Sequence, residues 1–463
     1  MSRPQAGSSS ALARVLGTGL LTVLVVGDIL GAGIYILVAE VAGEVGGRLW
    51  LPFLLAMLLA GVTGASYAEL VVRHPHAAGS AHWVEIAYAR PLFTFLVGFV
   101  VACSAISTGA AVSRAVGGLY LSVLVELPEI AVAIGVIVVL SLLAWFGLAE
   151  SARANAVMTV VEVGGLLLVV TAGVVGLVDG SAEPARLFES AGAGGDWSAI
   201  LAATALAFFA YLGFEDVVHL AEEVRNPRRA FPRALLGGLA VVGSLYLAVA
   251  VSAALLVAPD RLSSSSAPLL DALAEGPLPV PEELFAVIAM VAVTNTALLA
   301  LTTASRQVYG LAEQGSVPSP FARVGARRTP TVAIVSVAAV TAGLAITGGV
   351  RELADTTVVL LLAVFAIVNA TVVVLRRRTA VDPGTGASHP SDDRGDSGGG
   401  SGFRTPLVLP FIGVVACSGL LVHTLLNSGA GLFVRLGVLL GLGGLLFLLG
   451  RRAGPTNEPV SAS

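Results

Sequence analysis

Lysine is missing from this chain: all 26 of its basic residues are arginine. That removes any chemistry that needs a lysine amine, whether as Schiff base or as titrating ammonium. Cysteine is scarce too. Cys103 and Cys417 both lie in apolar runs, so neither a disulfide framework nor a cysteine metal site is expected. Charge of either sign is thin, at 12% of residues against about 25% in a soluble globular protein. Of the six histidines only His74, His76 and His82 lie near one another, and a proline stiffens the first pair. No metal ligand set, no cofactor, no enzymatic nucleophile–base set and no nucleic-acid partner is expected. The polar first sixteen residues lead into a long apolar span with no small-residue cleavage site, so no removable signal peptide is read.

What the chain has in quantity is apolar sequence, 56% of residues, which predicts a polytopic membrane protein in a lipid bilayer. Runs of about twenty residues, enough to cross the bilayer, recur twelve times. They fall near 17–41, 49–72, 91–123, 128–149, 155–178, 197–221, 233–257, 283–311, 330–348, 353–375, 405–426 and 431–450. With both termini in the cytosol, nineteen arginines fall on cytoplasmic segments. Only four (Arg48, Arg186, Arg261 and Arg351) fall outside, while Arg114, Arg306 and Arg435 lie within spans. This is the asymmetry of the positive-inside rule, and it predicts a plasma-membrane protein with cytoplasmic tails at 1–16 and 451–463. Residues 379–403, rich in Gly, Ser and Asp, read as a disordered cytoplasmic linker. Residues 73–90 read as an interfacial or re-entrant segment.

Two spans carry residues that lipid penalises. The first holds Gly27, Asp28, Gly31 and Gly33, and Gly27 lies roughly 17 Å from the cytoplasmic entry at helical rise, close to the midplane. The sixth holds Phe209, Gly213, Glu215 and Asp216 at similar depth, entered from the opposite side. Intramembrane acids mark solute or ion pathways. Two breaks five helices apart, with opposite orientation, are the pattern of a five-plus-five inverted repeat, 17–178 and 197–376, followed by two extra helices at 405–450. Half-helices starting after Gly33 and Gly213 would aim N–H groups at a carboxylate. Those ending near Gly27 and Phe209 would offer carbonyl oxygens to an ammonium or cation, and a zwitterionic amino acid satisfies both.

The residues 208–215, FFAYLGFE, followed by 221–223, AEE, then Asn226-Pro227 and 229–232, RAFP, resemble the sixth-helix pattern of the amino acid–polyamine–organocation permeases, which have the LeuT-type fold. Gly31-Ala32-Gly33-Ile34-Tyr35 is similar to the first-helix element of that superfamily. Segments 66–70, SYAEL, with Pro75 and Gly79-Ser80, and Ala304-Ser305-Arg306 with Tyr309 and 315–318, GSVP, resemble its second and eighth helices. The resemblance covers residues 17 to about 376, and the last two spans are assigned by position. It implies an all-α membrane protein of twelve helices, the first and sixth broken. It also implies that Gly31, Ala32 and Gly33 hold a substrate carboxylate. Ile29 and the backbone of Phe208 and Ala210 would border its amino group, with Phe209 as an aromatic lid and Tyr211 close by. Glu215 resembles the sixth-helix acid linked to gating.

The expected function is secondary transport of an amino acid by alternating access with proton coupling. A polyamine permease, an amino acid exchanger, or a receptor or channel on the same fold stay open, and oligomeric state is not read. Coupling is expected at Glu162 in the fifth span, about 11 Å inside the membrane. The resemblance places a lysine there in some proton-coupled relatives, in the role of a sodium ion bridging helices one, five and eight. A carboxylate could load a proton, pair structurally with a neighbouring helix, or hold sodium. Asp28 reads either as partner to a substrate amine or as a cap on the half-helix after the break. Asp216 and Glu215, being adjacent, are not expected to share a helix face. Thr294, Asn295 and Thr296 form a polar patch that could line the site, reach an ion or equally serve helix–helix hydrogen bonds, as could Ser104 and Ser107. His219 is expected to be a local hydrogen-bonder.

Overall fold

A computed structural model of the chain describes residues 16–75, 79–147, 152–191, 197–325, 327–381 and 403–453. Among these, every regular element is helical. In lipid, backbone N–H and C=O groups have no water to bind, so each segment must satisfy its own. In order, the helices are α1 (Thr18–Ile29), α2 (Ala32–Val45), α3 (Trp50–Arg73), α4 (Gly79–Tyr88), α5 (Pro91–Ala115) and α6 (Leu121–Leu124). There follow α7 (Glu129–Trp145), α8 (Ala152–Asp179), α9 (Trp197–Phe209), α10 (Pro227–Leu256), α11 (Pro259–Ser264) and α12 (Pro268–Glu275). The last are α13 (Glu282–Glu313), α14 (Thr331–Thr347), α15 (Val350–Val381), α16 (Val408–Asn427) and α17 (Ala430–Ala453).

Among the described residues, eight helical stretches are long and apolar enough to cross a membrane: α3, α5 continued through a π turn into α6, α8, α10, α13, α15, α16 and α17. A ninth arises if α1 and α2, bent by 43° at their junction, are one span. The other three expected spans are the shorter apolar helices α7, α9 and α14. Large apolar side chains such as Phe411, Val422, Leu426, Val434 and Leu448 are exposed on α16 and α17, a surface suited to lipid rather than water. α5 packs along α13 and α15, α3 along α10, and α2 along α9. The segment expected to be interfacial contains the ten-residue α4, which buries Trp83 and Val84 and is too short to span. Most of the expected linker, and the tail beyond Ala453, lie outside the described residues. The part that is described, 379–381, still belongs to α15.

Both broken spans differ in detail from expectation. The first does not come apart at Gly27, which sits inside α1; the interruption is at Leu30 and Gly31. Gly27 instead admits Thr159 of α8, whose Oγ1 would lie 3.2 Å from an added Cβ. The sixth span loses α-helical form after Phe209, turns through 210–215, and resumes as a 3₁₀ segment, Asp216–Glu223. No α-helical half follows Gly213. The two spans are also tied by their backbones at one end, where Leu16 N–H donates to Glu223 O (3.0 Å) and Arg225 N–H to Leu16 O (2.8 Å).

Candidate functional site at the two helix breaks

The two interruptions touch. Gly213 has φ +115°, a conformation that only glycine adopts without strain, and a Cβ there would lie 2.3 Å from Asp28 O. A Cβ on Gly33 would lie 2.3 Å from Ala210 Cα. Each break therefore supplies a glycine that admits the backbone of the other. Glu215 Oε2 accepts from Gly213 N–H (2.9 Å), closing the turn of the sixth span locally.

The first break is mended from a distance. Tyr246 of α10 donates its hydroxyl proton to Ile29 O (3.0 Å) and accepts from Gly31 N–H (3.2 Å). Thr296 Oγ1 of α13 accepts from Ala32 N–H (2.9 Å) and donates to Ala292 O. A buried amide without a partner costs about 1–3 kcal/mol, which explains why these side chains converge here. It also corrects the expectation for Gly31 and Ala32: their N–H groups are engaged by protein side chains rather than left open for a carboxylate. No hydrogen bond from Asp28 to the first turn of α2 is present among the described residues, so Asp28 does not cap that helix.

Between the breaks lies a cavity of about 80 Å³. Asp28, Ile29, Gly31, Ala32 and Gly33 line it from the first span, and Phe209, Ala210, Gly213, Glu215 and Asp216 from the sixth. Ser104 and Thr108 of α5, Thr296 of α13 and the apolar Leu299 and Leu361 complete the wall. Three carboxylates face this space, and the lining contains no arginine or histidine. Glu215 and Asp216 both reach it, contrary to the expectation drawn from α-helical spacing, because the chain there is a turn leading into 3₁₀ helix. The same pair borders a smaller cavity with Tyr67, His219 and Gln307, so the acids stand between two adjoining spaces.

Other expected site residues lie elsewhere. Phe208 is fully buried, edge-on to Phe365 at 5.9 Å between ring centroids. Tyr211 donates to Phe53 O (3.0 Å) and packs against Tyr246. Asn295 donates to Asn155 Oδ1 (3.0 Å), joining α13 to α8, and Thr294 is outside the cavity lining. Ser107 donates to Leu353 O. Glu162 is fully buried on α8, away from the cavity, and neither carboxylate oxygen has a hydrogen-bond partner among the described residues. Its own carbonyl accepts from Tyr35 OH of α2 (2.9 Å). With Asn155 against α13 and Thr159 against α1, Glu162 belongs to an α8 face that meets α13 and both halves of the first span.

Tyr246 and Thr108 were not singled out from sequence. A tyrosine within an apolar run was the available signal, since its hydroxyl needs a partner when buried.

The profile of the amino acid permease family matches residues 16–434. The chain belongs to that family. It is a multi-span membrane transporter rather than an enzyme. Similar proteins include cationic amino acid transporter 9 of the chloroplast from Arabidopsis thaliana, 30% identical over 340 residues, which are 68% of this chain and 58% of that one. An uncharacterized transporter of Mycobacterium tuberculosis is 28% identical over 444 residues, 95% of this chain and 93% of its own. The methylthioribose transporter of Bacillus subtilis is 28% identical over 395 residues, 80% and 83% of the two chains. The permease thus aligns with less than two thirds of the chloroplast relative and with nearly all of the mycobacterial one.

Proposed function

We propose that this permease carries cationic amino acids by alternating access, across a plasma membrane with both termini cytoplasmic. The observation that carries the reading is the charge of the central cavity: Asp28, Glu215 and Asp216 line it with no basic side chain among them. A cavity walled by one sign of charge favours a solute of the other. Several similar proteins are named as cationic amino acid transporters, in line with that charge. Its volume, about 80 Å³, is below the roughly 300 Å³ at which ligand pockets begin, so solute entry requires the walls to part. The contact of Gly33 with Ala210 and of Gly213 with Asp28 is the natural seam. Repeats 17–178 and 197–376 would rock about it, in accord with the nineteen-to-four arginine asymmetry for orientation.

For coupling, the reading assigns Glu162 as the proton carrier. Its carboxylate is buried with neither oxygen hydrogen-bonded among the described residues, so a proton can be taken up there without breaking an existing contact. Arginine uptake into proteoliposomes with an imposed pH gradient is the test. The wild-type permease accumulates arginine, alanine competes poorly, and Glu162→Gln removes the gradient dependence while retaining exchange. Uptake of neutral amino acids undisturbed by excess arginine would overturn the substrate reading; gradient-driven uptake by Glu162→Gln would overturn the coupling.

One observation favours a second reading, an amine permease. Two of the three amides expected to hold a carboxylate, Gly31 and Ala32, are already engaged. Agmatine, which is arginine without its carboxylate, separates the two: as an amino acid permease the protein takes up arginine in preference, as an amine permease agmatine.

A further inference from the structure

The end of α3 that carries Arg73 is built around one anion. Glu69 is fully buried, and its carboxylate gathers donors from α3, from α15 and from the segment before α16. Arg376 donates from Nε (2.8 Å) and from Nη2. Thr405 donates from its backbone N–H (2.9 Å) and from its hydroxyl (2.7 Å), and Arg73 Nη2 lies 2.8 Å away. Arg376 also donates to Thr405 O (2.6 Å). A buried carboxylate needs such donors, and here they pin residues 403–406 onto α3 and α15.

The result is an excess of positive charge. Arg377 and Arg378 follow Arg376 and are exposed, as is Arg404 beside Thr405. Arg376 and Arg404 are both near enough to Arg73 for their charges to repel it. Five arginines thus share one end of the fold, and among the described residues Glu69 is the one carboxylate in ion-pair contact with any of them. Arginine at a span end is by itself an orientation signal. A buried carboxylate that fixes the chain on both sides of the group is no part of that signal. Next to the arginines the surface turns apolar. Val408, Phe411, Ile412 and Val415, spaced as one face of α16, are exposed together with Leu407. Guanidinium forks suit phosphate, and a stripe of large apolar side chains suits hydrocarbon. A ligand that satisfies both is an amphiphile whose phosphate carries the negative charge.

We propose that this corner is a binding site for an anionic phospholipid. The headgroup meets Arg404 and the Arg376–Arg378 end of α15, and an acyl chain follows the α16 stripe. The lipid thereby joins α3, α15 and α16, which all pack on α9, the half-helix that ends at the sixth-span break. The inference does not depend on the substrate assigned to the central cavity.

An indole on the stripe reports on it. Phe411→Trp replaces an exposed aromatic, and the unsubstituted permease gives the background from Trp50, Trp83, Trp145 and Trp197. In bilayers of mixed composition, phosphatidylglycerol with brominated acyl chains should quench the introduced indole at about tenfold lower mole fraction than brominated phosphatidylcholine. Arg404→Gln with Arg377→Gln should abolish most of that preference. Arg451→Gln should leave it unchanged, since Arg451 is an exposed arginine held over Phe447 and not at Glu69. Glu69→Gln removes an anion yet frees Arg376 and Thr405, so the preference should fall although the net positive charge rises. Equal quenching by the two lipids overturns the proposal, as does an equal loss with Arg451→Gln. A preference that rises in Glu69→Gln also overturns it, because charge number alone would then set the affinity. Release of the quenching by excess inorganic phosphate overturns it in favour of a free-phosphate site. If Glu69→Gln does not fold, the exposed Arg404 and Arg377 variants still decide.

Discussion

The two interrupted spans solve the same physical problem in opposite ways. In each, unwinding strands backbone groups where lipid cannot satisfy them. The first span is repaired by distant helices: Tyr246 serves Ile29 and Gly31 together, and Thr296 serves Ala32. The sixth repairs itself, with Glu215 folding back on Gly213 and the following segment tightening into 3₁₀ form. The first break is therefore braced by α10 and α13. The second depends on local bonds, and its acids border two adjoining cavities. Bracing on one side and local closure on the other is what a moving site needs, since one half-site must hold still while the other turns.

Four substitutions would break or sharpen this contrast. Gly213→Val should have the largest effect, because it strains a left-handed residue and drives a Cβ into Asp28 O. Arginine uptake should fall roughly hundredfold and stability by about 1–3 kcal/mol; uptake above a tenth of wild type would mean that the breaks need not touch. Tyr246→Phe comes next, leaving the Gly31 amide and Ile29 carbonyl unserved at a cost of about 1–3 kcal/mol, read as a lowered melting temperature in detergent. Glu215→Gln is its counterpart, since a glutamine oxygen can still accept from Gly213. Its stability should stay within about 0.5 kcal/mol while uptake of cationic amino acids falls. If the two variants have equal melting temperatures, the contrast between braced and self-closing breaks is wrong. Thr296→Val should be mildest, about 1 kcal/mol, because only one amide loses its acceptor.

Much of the architecture could be read from apolar run length alone. Each expected span meets a helix or broken helix, because an α-helix satisfies its backbone groups within a single segment in lipid. The site was readable in part. Glycines beside acids in apolar surroundings located both interruptions, and Asp28, Gly33, Phe209, Gly213 and Glu215 all border the central cavity. The misplacements share one cause: they depend on which face a residue presents. Gly27 was read as a break although its role is to admit Thr159. Tyr211 was read as close to the site although its hydroxyl turns into the core, toward Phe53. Asp216 was expected to diverge from Glu215, an inference valid only while the chain stays α-helical.

By itself the sequence determined that this chain lives in a membrane, how many apolar segments it has, and where charge interrupts them, because hydropathy and length are local properties. Tertiary structure alone decided that the interruptions meet, since Gly33 and Ala210 are far apart along the chain and only packing makes them neighbours. It also decided which side chains serve the freed amides. A hydroxyl 215 residues from Gly31 carries no local sign of its partner, and the need for every buried N–H to find an acceptor is met only once the helices are side by side.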